Sequence, residues 1–410
     1  MAKKNSKNLK NKKNLKNSKN AKLIQLIVVI VLCLCGVASG IMATVSSIKK
    51  AKAQRTVRIA FYGLSEEYVK ILQEKIPVEE KIILKCDVLS DGKIDLGSLK
   101  EKYDMLFTWR GEITDTLEAS AEDIPAKILE TMPTNLRNKK CVPILLDHCE
   151  LAYSINVVNS TTENLPSSFP GFLNFLNQAK SKVFSPFFCA GADDRVLTAF
   201  IGNLIELNGG VGAYQALIDE LKAGTEFDVL LDKELGSSKV TLRSVLDMLK
   251  SWPKEGLTHP AWFNGQQNDL LYFAQDDNLS VFFTFLKDHR NIPYATISKY
   301  ESFVMPPVSS TTEYGIIAPA ISCMLLSDNS NSKRYLAEFF TEDAQAELSN
   351  LTKLAPVHSR AQAYDRQADD VRFWAASCPG GALPDLYLAV WQRNSAGCAE
   401  FARKCREFLR

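Results

Sequence analysis

The sequence predicts an α/β protein whose body follows a single N-terminal membrane-spanning segment. Three observations predict it. Strand-like and helix-like stretches alternate with short connections after residue 56, an apolar run near the N-terminus follows a lysine-rich head, and the composition is globular. Hydrophobic residues make up 46% and charged residues 23% of the chain, which separates it from disordered sequences. With 410 residues there is room for two ordinary domains or for one large domain built as two lobes.

The head, 1–22, carries nine lysines and no acid. The whole chain has a formal net charge of +2, so everything after the head is mildly acidic. That balance argues against nucleic acid as a partner. From Leu23 to Val45 the sequence is apolar, with Gln25 its strongest polar interruption. As a helix this run is about 34 Å long, enough to cross a hydrocarbon core of roughly 30 Å. Basic flanks stay on the cytoplasmic side, so 1–22 is expected as a cytoplasmic head and 23–45 as a single-pass anchor or signal segment in the cell membrane. Residues 46–55 read as a linker to a periplasmic or extracellular body. Three fates fit the segment: retention as an anchor, cleavage after Ala53 at the small-x-small pattern Ala51-Lys52-Ala53, and lipidation at Cys33 or Cys35. The residues before those two cysteines lack the small side chain that lipidation requires.

Val57–Phe61 reads as a short buried strand, and Ser65-Glu66-Glu67 as a helix start with Tyr68, Val69 and Leu72 on one face. Lys81–Val88 is a second strand and Met105–Phe107 a third, an order that predicts a βαβ unit and parallel pairing. Val142–Leu146 and Leu151–Ile155 are extended runs on either side of Asp147-His148-Cys149-Glu150. From about 160 helical stripes dominate. One begins at Asp193-Asp194, carries Val196, Leu197, Phe200, Ile201, Leu204 and Ile205, and stops at Gly209-Gly210. A second holds Tyr214, Leu217, Ile218 and Leu221; a third runs from Leu242 to Trp252. Their spacing marks core faces. Ser280–Phe285 and Ile316–Leu326 are β-like, Ser332–Phe340 begins a helix, and Thr341 caps the next one with Glu342 and Asp343 in its first turn.

Enzyme motifs are missing. The chain has no His-Glu-x-x-His, no Gly-x-Ser-x-Gly, no phosphate-cradling Gly-x4-Gly-Lys and no Cys-x-x-Cys. Gly209-Gly210-Val211-Gly212 follows a helix and not a strand, which is wrong for a dinucleotide. His148, Cys149 and Glu150 are adjacent and cannot all face one ion. No catalytic residue, metal or cofactor is expected. The eight cysteines after the span show no short disulfide framework, so buried free thiols are expected slightly ahead of disulfides.

Four stretches in order carry a resemblance. They are Tyr103–Arg110 (YDMLFTWR), Val142–Asn156 (VPILLDHCELAYSIN), Phe303–Val308 (FVMPPV), and Asn329–Gln345 followed by Leu354–Val357 (LAPV). Together they resemble the extracellular solute-binding proteins of ATP-binding-cassette importers, in the group that includes maltose-binding and other sugar-binding proteins. The similarity spans nearly everything after residue 56. It implies a two-lobed periplasmic-binding-protein type II fold with hinge-crossing strands. Lobe 1 would be 56–146 and 303–340, and lobe 2 would be 147–302 and 341–410. The implied function is capture of a small ligand, a sugar by default, in the cleft between lobes, for delivery to ABC permease subunits. A sensor or interaction module on the same fold is the alternative. The sequence departs from the group's pattern at Ser280–Phe285, which lacks its glycine and tryptophan, and at the Asp147-His148-Cys149 crossing.

Ligand contacts are expected from Tyr62, Trp109 and Arg110, which stand at or just beyond strand carboxyl ends, where open α/β sheets place their clefts. Asp147 and Glu150 are expected at the first crossing. Trp262, on a loop, and Trp374, late in the chain, are the expected aromatic faces from the second lobe.

Overall fold

The computed structural model describes residues 55–89, 94–161, 164–308 and 314–410. The expected head and membrane-spanning segment, 1–45, lie outside the described residues. Residues 1–56 with 81–83 form one unit, and residues 57–80 and 84–410 form the compact body to which all that follows refers.

The chain enters the body through β1 (Thr56–Tyr62), β2 (Ile83–Leu89), β3 (Met105–Trp109) and β4 (Cys141–Leu146). It crosses at Asp147-His148 into β5 (Cys149–Ser154), β6 (Ser185–Cys189), β7 (Leu279–Phe285) and β8 (Tyr300–Phe303). It then returns through β9 (Ile316–Ile317), β10 (Ala320–Leu325), β11 (Ala355–Pro356) and β12 (Ala382–Leu383). Two principal sheets result. One has the order β11-β4-β10-β3-β1-β2 and the other β6-β7-β5-β8, while β12 and β9 form a parallel pair of their own. Each principal sheet with its helices is a lobe.

The expected βαβ unit is present: β1 and β3 pair in parallel, Ile59 opposite Met105, with the helix Glu66–Glu74 between them in sequence, capped by Ser65. β3 is buried along its length. Asp104, just before it, accepts from Arg58 backbone N at 2.8 Å and from Arg58 Nη2 at 3.0 Å, which fixes the start of β3 beside β1. The expected strand over 316–326 is split at Pro319, which has no N–H to donate to a ladder. Its carbonyl accepts from Asp147 N at 2.7 Å and so ties the return to the crossing.

The second lobe is built on the helix Asp194–Lys222. Asp193 caps it, accepting from the backbone N–H groups of Arg195 and Val196. Its sequence is long and apolar enough to cross a membrane, yet 78% of its most apolar stretch is buried in the body, so it is a core helix. The expected stop at Gly209-Gly210 is a kink, with Gly210 at φ 76°, a backbone that favours glycine. Phe187, Phe200, Trp252, Trp262 and Phe283 form the aromatic centre of this core, ring to ring at 5.1–6.2 Å. The C-terminal helix Ser395–Leu409 covers it with Cys398, Phe401 and Cys405.

The lobe boundaries differ in one place from the expected ones. The helix Glu342–Thr352 leads into β11, and β11 pairs with β4 in the first sheet. That segment, expected in lobe 2, therefore belongs to lobe 1. Gln345 fastens it, donating to Ile144 O at 3.1 Å and accepting from Val357 N at 2.9 Å. All eight cysteines of the described body are free thiols, and seven of them are buried.

Candidate ligand site

The sheet orders bring one edge of each lobe together. In the first sheet β1 and β3 run parallel, and β4 shares their direction because both β3 and β4 pair antiparallel with β10. Their carboxyl ends carry Gly63, Trp109 and Asp147. In the second sheet β6 and β7 are parallel, and Cys149, which opens β5, lies opposite Phe285, which closes β7. The crossing Asp147-His148 joins the two edges directly. Ligand clefts in open α/β sheets form at such carboxyl ends.

A recess of about 940 Å³ lies there, lined from the first lobe by Gly63, Ser65, Leu89 and Trp109, and from the second by Arg195 and Tyr387. Arg195 is its centre. The second-sheet strand β6 ends at Cys189, and the turn to the helix places Arg195 at that helix's first residues. Its guanidinium lies 4.8 Å from the Phe285 ring centre, 5.6 Å from Tyr387 and 5.9 Å from Trp109. It donates to Asp385 Oδ2 at 2.7 Å, and Asp385 is fully buried. Burial works against the Arg195 charge, but Asp385, with Asp147 behind it, holds its pKa above the ordinary arginine value. Tyr68 completes the aromatic wall, edge-on to Trp109 at 6.2 Å. A neighbouring recess of about 900 Å³ on the second lobe offers Asp193, Gln266, Gln267, Asp288 and Asn291.

Asp147 is fully buried behind Arg195 and does not line the recess. Its Oδ1 accepts from His148 N at 2.9 Å and Lys287 N at 3.0 Å, while Oδ2 has no protein partner. Burial pushes its carboxyl up to about 6, against the pull of Lys287. A stripe of aromatic faces beside a fixed cation and acceptor carboxylates suits a polar ligand with an apolar face.

Of the seven expected contact residues, Trp109 lines this recess and Asp147 adjoins it. The others are elsewhere, each for a physical reason. Tyr62 is 2% exposed and packs into the first-lobe core with Ala60, Leu99 and Leu106, so the recess begins one residue later, at Gly63. Arg110 donates to Ala382 O at 3.4 Å, beside the β12–β9 pair. Glu150 is a buried β5 side chain joined to His289 Nδ1 inside lobe 2. Burial opposes its charge, but the His289 imidazole at Oε1 and His148 nearby hold it below the usual carboxylate range. Trp262 is fully buried and packs edge-on to Phe200, in the core and away from solvent. Trp374 stands on the helix Arg366–Ser377, 5.4 Å from the His148 ring and 5.6 Å from Phe303. It lines a different cavity with His148.

Sequence reasoning missed Arg195, Phe285, Asp385 and Tyr387. Arg195 had a signal, since Asp193-Asp194-Arg195 begins a helix soon after a buried strand. Asp385 and Tyr387 had none, because their place depends on a C-terminal segment folding back onto the cleft. That segment is locked to the first lobe: Gln392 donates to Trp109 O at 2.9 Å and accepts from Ile113 N at 3.1 Å, and Arg393 pairs with Glu112.

The whole body shares the two-lobed α/β fold of solute-binding proteins. AcbH, a bacterial solute receptor with an exclusive preference for β-D-galactopyranose, superposes with a TM-score of 0.67 at 11% identity, over 86% of this chain and 96% of its own. MsmE of Bacillus subtilis subsp. subtilis strain 168, in an open conformation, gives 0.66 at 13% identity over 87% and 95%. A sugar transporter protein of Bacillus licheniformis, in complex with stachyose, gives 0.54 at 13% identity over 86% and 98%. No protein-family model and no curated protein matches the sequence. The likeness is therefore one of fold, at identities where side chains have diverged.

Proposed function

We propose that the chain is an extracytoplasmic solute-binding protein, held in the cell membrane by residues 23–45, that captures a sugar or oligosaccharide between its lobes and hands it to ABC permease subunits. The observation that carries this reading is the cleft itself. Both sheets point their carboxyl ends at one recess, where Trp109 and Tyr387 flank Arg195 on its open side and the buried Phe285 ring backs the guanidinium. Aromatic faces stack on the apolar face of a pyranose, while the guanidinium and the carboxylates bond its hydroxyls. Binding and release, not bond breaking, is the chemistry such a set supports, and sugar-binding neighbours of the same fold point the same way. The apolar run behind nine lysines supports the anchor and its orientation.

A thermal-shift screen tests it. Residues 54–410 are melted with galactose, raffinose, stachyose and chitin and xylan oligosaccharides. A ligand at 100 times its dissociation constant adds about 2.7 kcal/mol, a rise of several degrees. A flat response across the panel contradicts a sugar ligand. Fractionation of the full chain tests the anchor: it pellets with membranes and resists carbonate extraction, whereas release of the body to the supernatant contradicts retention.

A further inference from the structure

At the Asp147-His148 crossing, lined by His148 and Cys149 and by none of the residues of the Arg195 recess, lies a partly open cavity of about 70 Å³. Val304, Met305, Ile316 and Ile317 make its apolar walls, and Trp374 adds an aromatic one. Its polar groups are unusual. Glu206, 4% exposed, accepts from Gly315 N at 2.5 Å and forms no ion pair among the described residues. His148, 1% exposed, has an Nδ1 with no partner. Among the described residues, no lysine or arginine lines the space. A buried carboxyl without a cation and a buried imidazole nitrogen without a partner are costly, and a donor-rich cation would offset both.

We propose that this cavity is a second ligand site, separate from the interlobe recess, and that it takes a small organic amine. The ammonium sits on Glu206 within reach of His148, and a flat apolar body lies against Trp374 and Met305. An anion has nothing to meet there. A sugar would find too few partners for its hydroxyls along walls of isoleucine, valine and methionine. A cation over an indole adds its own attraction.

Among the described residues, the titratable groups that line the cavity with Glu206 are His148 from the crossing, Cys149 from β5, Tyr314 before β9, and Cys378; Tyr214 on its own helix lies nearby, and Glu150 acts on His148. Burial drives Glu206 up to about 7, opposed by the Gly315 N–H. Burial drives His148 down to about 4 and Cys378 up to about 12, and holds Cys149 and Tyr214 well above their usual values. Between pH 6 and 8 Glu206 changes charge, whereas His148, Cys149, Tyr214 and Cys378 keep theirs.

The test is calorimetric titration of the full chain with benzylamine, and with benzyl alcohol and benzoate as neutral and anionic counterparts. Benzylamine binds at pH 8 at least tenfold more tightly than either counterpart. Its affinity falls about tenfold at pH 6, following the ionised fraction of Glu206. Glu206→Gln, which keeps an acceptor for Gly315 N, weakens benzylamine at least tenfold and leaves benzyl alcohol unchanged. Ser377→Phe, at the exposed rim of the cavity, blocks entry without touching the core, and so decides the matter if Glu206→Gln does not fold. Trp109→Ala leaves benzylamine binding unchanged. Binding of benzoate as tight as benzylamine, loss on Trp109→Ala with retention in Glu206→Gln and Ser377→Phe, or no benzylamine binding at millimolar concentration would each overturn the proposal. None of these outcomes bears on whether the interlobe recess binds a sugar.

Discussion

Arg195 is a charge the fold has already bound to itself. Its partner Asp385 is fully buried and also caps a helix, accepting from Leu388 N at 3.1 Å. Breaking such a pair from one side strands the other charge, which costs about 3–5 kcal/mol. Arg195→Met is therefore expected to lower the unfolding free energy of residues 54–410 by that amount in urea, and Asp385→Asn added to it is expected to recover part of the loss. Glu206 gives a second residue-scale prediction, through pH. Its folded pKa of about 7 lies above the ordinary 4.5, so the folded state binds the extra proton between those values. Stability from this group is present below about pH 4.5 and is lost as pH rises through 7. Glu206→Gln is expected to match the parent at pH 4.5 and to exceed it at pH 8 by on the order of 3 kcal/mol. Equal melting temperatures at pH 8 would contradict the burial argument. At this scale the sequence was only partly legible. Trp109 was readable because a strand end predicts a cleft. Trp262 was not, because a tryptophan on a loop reads as a contact until Phe200 and the helix beneath it are in place. Glu150 likewise read as a crossing residue, and its pairing with His289 depends on β7 lying beside β5.

Among elements, the segment from Leu386 to Arg393 does the most for the cleft. It supplies Tyr387 from one side and reaches the first lobe through Gln392 and Arg393. The approach is close: a Cβ added at Gly111 would stand 2.2 Å from Leu388 O. Gly111→Ala must push that segment away, at about 1–3 kcal/mol for overpacking, and it moves Tyr387 from its place beside Arg195. Lower melting temperature together with weaker ligand binding is the expected result, and an unchanged protein would show that the contact is dispensable. Most elements were legible. β1, β3, β4 and β7 appear as apolar runs in the sequence within a residue or two of their ends, because each is buried and bounded by turns or acids. The pattern failed where tertiary pairing decides. An unbroken apolar run at 316–326 hides the break at Pro319, and nothing local in Leu354-Ala355-Pro356 says that it returns to β4.

At the scale of the whole molecule, two sheets meet carboxyl end to carboxyl end at a crossing of two residues, and the chain passes between lobes again after β8 and after β11. Rotation of one lobe against the other would turn about these connections and strain the Gln392 and Arg393 contacts to the first lobe, and a ligand with higher affinity for one angle shifts the population toward it. The two-lobed plan was legible in the order of four stretches along the chain; the allocation of 342–356 to the first lobe was not. The most direct test is calorimetry of residues 54–410 with the sugar that gives the largest thermal shift, repeated for Trp109→Ala and Trp374→Ala. Trp109→Ala is expected to weaken binding at least thirtyfold, roughly 2 kcal/mol, while Trp374→Ala leaves it unchanged. The reverse pattern, or the absence of any sugar that binds, would contradict a sugar site at Trp109.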